Sequence, residues 1–149
     1  AHLCRKLVAE ANCQIIVNCS LKELEIVQPI KRLVPDVCLF SGSLRELLSL
    51  ISESDLLIGN DSGPSQFSVA LNIPTITLNG PSTSSLYRDP DLMSSKHYTF
   101  NKDVHCRDLF HTQCMLKKDP VTNHPICDSM ICLDFSVDEV ASKALELLR

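Results

Sequence analysis

At 149 residues the chain has the length of one ordinary domain, enough to bury a sizeable core. A hydrophobic share of 44% and a charged share of 21% are those of a folded globular protein. The net charge of −4, the lack of a long basic block and the absence of Trp argue against a nucleic-acid surface or a base-stacking platform. No apolar run reaches the length of a membrane-spanning helix, and the N-terminus lacks a signal-peptide layout. The chain opens at Ala1 inside a helical pattern, which predicts a piece of a longer protein whose beginning is missing.

Leu3, Leu7, Val8 and Ala11 recur at helical spacing and predict a helix over residues 2–12. Residues 14–18, with Ile15, Ile16 and Val17, read as a short buried strand. Residues 21–33 read as a helix through Leu24, Val27, Ile30 and Leu33, with Pro29 expected to kink or shorten it. Residues 37–40 form a brief strand after the Pro35-Asp36 turn. Ser43 and Glu46 make a capping box for a helix over 44–52, whose buried stripe is Leu44, Leu47, Leu48 and Ile51.

The run from Leu56 to Leu71 carries the most information. Leu56, Leu57 and Ile58 predict a strand covered on both faces. Asn60, Asp61, Ser62 and Gly63 are turn and cap residues, and Pro64 suits a helix start. Such a turn aims backbone N–H groups beyond the carboxyl end of the strand, where open α/β sheets bind ligands and helix N-termini favour phosphate. A capped strand–helix junction without a ligand fits the same local pattern. A further strand follows at 75–78. The α-β-α-β-α-β-α-β order calls for an α/β fold: a Rossmann-like parallel sheet with helices on both faces.

From about residue 80 to 135 the alternation stops, and Pro, Ser, Asp, His and Cys dominate, with Tyr98-Thr99-Phe100 as a candidate strand. Cys106, Cys114, Cys127 and Cys132 cluster there, interleaved with His105, His111 and His124. Zinc accepts such ligands, yet no pair has the C-x-x-C spacing of a knuckle, so these four are weak metal candidates and no metal site is assigned. Cys4, Cys13, Cys19 and Cys38 lie in regular segments and read as small hydrophobes. Ser136, Glu139 and the apolar positions Val137, Val140, Ala144, Leu147 and Leu148 predict a capped C-terminal helix over about 136–149.

Three segments in register resemble the C-terminal domain of lipopolysaccharide heptosyltransferases: Leu57-Ile58-Gly59-Asn60-Asp61-Ser62-Gly63-Pro64, then Ala70-Leu71-Asn72-Ile73-Pro74-Thr75, then Gly80-Pro81-Ser82. A Cys-rich segment ahead of a Ser-Val-Asp-Glu-Val helix adds to the likeness. The resemblance implies one half of a two-domain, B-type glycosyltransferase, with residues 1–149 as its nucleotide-sugar-binding domain and the N-terminal acceptor domain absent. It implies transfer of heptose or a related sugar from ADP-heptose to lipopolysaccharide core, with inversion and with no cofactor beyond the ADP-sugar substrate. The acceptor would be a lipid-linked saccharide reached through the missing domain, and the location cytoplasmic, peripheral at the inner membrane face. The fragment alone is expected to be inactive, with no catalytic residue of its own.

Carried over by matching motif, Asp61, Ser62 and Gly63 fall at the donor diphosphate, with Gln66 where the family usually has His. Gln donates a hydrogen bond but carries no charge, so the departure bears on donor strength and identity. Glu23, after the first strand, falls at the ribose, where a carboxylate suits two hydroxyls; Glu25 is the alternative, and both also fit as solvated first-turn acids. Ser82 and Thr83 are candidates for sugar or phosphate contact, or simply a polar turn. Two other functions stay open: a non-catalytic nucleotide-binding module of the same ancestry, and a zinc-stabilised interaction domain.

Overall fold

The computed structural model describes residues 1–80, 96–104, 120, 127 and 130–149. They fall into two compact units, Ala1–Leu56 with Ser136–Arg149, and Leu57–Phe135.

In the first unit, α1 (His2–Ala11) leads to β1 (Ile16–Asn18), a 3-10 turn at Leu21–Glu23, α2 (Leu24–Leu33), β2 (Cys38–Phe40) and α3 (Leu44–Ser52). Asn12 ends α1 in the left-handed region, at φ 49°, a conformation Asn tolerates better than most residues. β1 and β2 pair in parallel, Ile16 opposite Cys38 and Asn18 opposite Phe40. β1 is not buried as the apolar run predicts: Ile16 is exposed and Val17 half-buried. Pro29 sits inside α2 without ending it. It costs the bond to the Glu25 carbonyl, and both residues are exposed, so water can take that carbonyl.

The Ser43–Glu46 capping box forms as the sequence predicts: Ser43 N–H and Oγ–H donate to Glu46 Oε2, each at 2.7 Å. Below it Ile51 is buried and Leu47 and Leu48 half-buried, whereas Leu44 is 58% exposed. Leu44 is the first residue of α3, one turn short of the buried stripe.

The last helix, α5 (Val137–Leu147), starts under Ser136, whose Oγ accepts from Glu139 N–H at 3.4 Å. It packs on α1 through Val140, Ala141 and Ala144, all buried, with Leu7 buried on α1. Val137, predicted to share this face, is instead exposed. Lys6 on α1 pairs with Asp138 at 2.5 Å.

The second unit holds β3 (Leu57–Asn60), α4 (Gly63–Ala70), β4 (Thr75–Leu78), β5 (His97–Phe100) and a 3-10 turn at Ile131–Leu133. Its strands run parallel in the order β3-β4-β5. The α/β class is therefore the predicted one, with the described ladders divided between a two-stranded and a three-stranded sheet. The candidate strand at Tyr98–Phe100 is β5. The two faces expected to be covered at Leu56–Ile58 are only half-buried. Full burial belongs to the middle strand, where Thr75, Ile76 and Thr77 are at 0% exposure.

Ala141 and Ala144 have no exposed surface, so the α1–α5 contact has no room for a longer side chain. Ala144→Leu is expected to lower stability by about 1–3 kcal/mol, the usual cost of overpacking, read as a lower urea midpoint at unchanged slope. An unchanged midpoint would mean that the helices separate freely at this point.

Candidate functional site

Asp61 and Ser62 link the carboxyl end of β3 to α4. Asn60 ends β3 opposite Leu78 of β4, so the turn lies at the carboxyl edge of this parallel sheet. Ser62 is the N-cap with extended backbone, φ −153° and ψ 173°. Its hydroxyl does not cap the helix but donates to the Asn60 carbonyl at 3.3 Å. Gly63 and Pro64 open the helix, and the first intrahelical bond runs from Gln66 N–H to the Ser62 carbonyl at 3.2 Å. The N–H groups of Gly63 and Ser65 precede that bond, and Pro64 has none to offer. Ser62 and Gly63 are exposed and Asp61 is half-buried. The helix start thus presents partial positive charge to solvent beside one carboxylate.

What fixes this turn is a residue that sequence reasoning passed over. Ser65 has no exposed surface, and its hydroxyl donates to the Asn60 carbonyl at 2.6 Å. Gly59 makes the approach possible, because a Cβ there would lie 3.2 Å from Ser65 Oγ. The signal available was a small polar residue on the buried side of a helix, six positions after a strand glycine. One turn further, buried Ser68 Oγ lies 2.7 Å from Thr75 Oγ1, and Thr75 donates to the Ile73 carbonyl at 2.7 Å. These bonds tie α4 to the loop into β4.

Gln66, assigned to the diphosphate by its position in the motif, is half-buried. Its Nε2 donates to Asp61 Oδ1 at 3.1 Å. Asp61, Ser62, Gly63 and Gln66 therefore come together around one turn of the second unit.

Glu23 lies in the first unit, exposed, just beyond the carboxyl end of β1. Its Oε2 accepts from Ser20 Oγ–H at 2.6 Å and from Ser20 N–H at 2.8 Å. The Ser20 hydroxyl, and after it the Ser20 amide, hold the Glu23 carboxyl below its usual value. Glu46 is held down in the same way by Ser43. Glu23 is thus part of a second capping box, legible as Ser20-x-x-Glu23 and repeated as Ser43-x-x-Glu46. Glu25, the alternative, is exposed in the first turn of α2.

Ser82 and Thr83 lie outside the described residues, as do Cys106 and Cys114. Cys127 is exposed, and its Sγ accepts from Met130 N–H at 3.3 Å; Cys132 is buried. Among the described residues no three His, Cys, Asp or Glu side chains gather as metal ligands do. In the first unit Cys19 is buried, and Cys4, Cys13 and Cys38 are half-buried free thiols, in keeping with their reading as small hydrophobes.

Parallel strand–helix units with a polar turn at a strand's carboxyl end define an α/β protein of the kind that places ligands at that edge. The chain belongs to glycosyltransferase family 9 (heptosyltransferase), whose family model matches residues 2–119. Lipopolysaccharide heptosyltransferase 1 of Campylobacter coli is 50% identical over 42 residues, which are 28% of this chain and 12% of that protein. The E. coli ADP-heptose lps heptosyltransferase II superposes with a TM-score of 0.70 at 21% identity, over 99% of this chain and 39% of its own. That likeness shows the shared fold. This chain spans less than half the length of either relative.

Two outcomes are expected here. Ser65→Ala removes the shorter of the two hydroxyl bonds to the Asn60 carbonyl, leaving the one from Ser62, and should cost about 0.5–1.5 kcal/mol, measured by urea unfolding; an unaltered midpoint would remove Ser65 as the anchor of the turn. The lowered Glu23 and Glu46 carboxyls stabilise the fold above their ordinary value of 4.5 and lose that contribution as pH falls through their lower folded values. The Ser20 and Ser43 amide resonances should therefore titrate below pH 4.5, and Glu23→Gln with Glu46→Gln should abolish both titrations. Titration at or above the ordinary value would contradict the boxes.

Proposed function

We propose that this chain is the donor-binding half of an inverting glycosyltransferase that moves heptose, or a related sugar, from ADP-heptose to lipopolysaccharide core. The observation that carries the proposal is the Asp61-Ser62-Gly63 turn, set at the carboxyl edge of the β3–β4 ladder and opening α4. Membership of the family supports a nucleotide-sugar substrate class, and the exposed Gly63 at the start of α4 gives the turn a physical reason to hold phosphate.

In this proposal the Gly63 N–H and the Ser62 hydroxyl receive the diphosphate, with Asp61 and Gln66 beside them. Glu23 takes ribose hydroxyls, and Ser82 and Thr83 reach the sugar or phosphate. An acceptor hydroxyl attacks the anomeric carbon, the bond from that carbon to the diphosphate oxygen breaks, and ADP leaves with the electron pair. A base on a further, N-terminal domain takes the acceptor's proton. Amide dipoles and Ser62 stabilise the departing diphosphate. The reaction asks for no cofactor beyond the nucleotide sugar, and the fragment alone is inactive. Among the described residues no helix is long and apolar enough to cross a membrane; the lipid-linked acceptor argues for a cytoplasmic enzyme peripheral to the inner face.

A second reading follows from Gln66, whose uncharged amide is already engaged by Asp61: a nucleotide-binding module without transfer activity. Calorimetric titration with ADP and with ADP-heptose separates the two. The donor half binds both and prefers ADP-heptose, and Ser62→Ala weakens ADP by roughly tenfold to a hundredfold, the loss of one hydrogen bond to a charged group. Equal affinity for the two ligands favours the module. No uptake of either at millimolar concentration refutes the proposal.

A further inference from the structure

In the motif Gln66 stands where a phosphate-contacting side chain is expected, yet its Nε2 donates to Asp61 Oδ1, within hydrogen-bonding distance at 3.1 Å. Gln66 is anchored in the first turns of α4, while Asp61 lies in the turn ahead of it; both are half-buried. A carboxylate next to a diphosphate is repulsive, the more so where water is partly excluded. A carboxylate held by a side chain of the helix cannot swing freely into the space before the exposed Gly63 amide. A neutral amide suits this duty, since it donates to Asp61 at every pH and brings no charge of its own.

We propose that Gln66 is a positioning residue that acts on the donor through Asp61, by restraining its carboxylate, and not by contact with the diphosphate. The inference rests on the reading of this turn as the diphosphate site.

Two measurements on the whole chain test it. In the ligand-free protein, the side-chain NH2 signals of Gln66, assigned by their loss in Gln66→Leu, should shift in Asp61→Ala. Signals that stay in place would overturn the link. In ADP titrations Gln66→Leu should weaken binding by roughly threefold to tenfold in the wild-type background and leave it unchanged in the Asp61→Ala background, as coupled residues do. Additive losses in a chain that binds ADP would mean direct contact with the diphosphate, and would sink the positioning role alone. A wild-type chain that binds no ADP would overturn the proposed function and the ligand step of this inference, while the NMR comparison still reads the link by itself. Gln66→Met and Asp61→Gly replace any variant whose circular dichroism is not that of the folded chain.

Discussion

The bond from the Ser65 hydroxyl to the Asn60 carbonyl is the constraint on which the carboxyl edge of the second unit's sheet depends. A strand's last carbonyl and a helix's first turn are joined through a side chain with no exposed surface. Without it the carbonyl would keep only the longer bond from Ser62, so the junction favours one geometry. What is presented to solvent at this edge, Ser62 and Gly63, inherits its position from that join. Gly59 is the permissive partner: its missing Cβ lets the helix come close enough for the bond to form.

The same logic runs on through the unit. Thr75, Thr77, Ser65, Ser68 and Asn79 are all at 0% exposure, an unusual share of polar groups for the inside of a small sheet. Hydroxyls placed in pairs, as at Ser68 and Thr75, satisfy one another and specify a single alignment of helix on strand, which purely apolar packing does less sharply. Asn79 likewise donates to Asn101 Oδ1 at 2.7 Å, joining the residues that follow β4 and β5. Polar bonds therefore stitch the carboxyl edge of the sheet at Asn60 and Asn79 and hold α4 to the amino end of β4 at Thr75, whereas the α1–α5 contact of the other unit is close-packed through alanines with the Lys6–Asp138 pair beside them.

Elements with local signals were legible in the sequence. The helices announced themselves by periodicity and caps, the strands by short apolar runs, and the parallel α/β class by their alternation. What depends on contacts between distant residues was not. The division of the ladders into two sheets and the exposure of Ile16, Leu44 and Val137 follow from which neighbours a face meets, and no single segment encodes that. At the site, the Asp61–Gly63 turn was readable because its residue types are demanded by its geometry. Ser65 was not, since a serine inside a helix usually faces water; only Gly59 across the junction explains it. The Ser20–Glu23 box was written in the same four-residue pattern as Ser43–Glu46 and was missed because Glu23 was weighed as a ligand rather than a cap. The Gln66–Asp61 bond spans five residues across a non-helical corner, a contact that spacing alone does not predict.

That capping box gives Glu23 a divided loyalty. One of its oxygens, Oε2, receives both bonds from Ser20 and keeps the chain turning from β1 into the 3-10 turn and α2. A ribose approaching this carboxylate would find that oxygen committed and would have to settle on the other, or else unfasten the start of the helix. Any nucleotide contact at this point would thus be tied to local folding, and a ligand lost after replacement of Glu23 would not by itself tell a missing contact from an unwound turn.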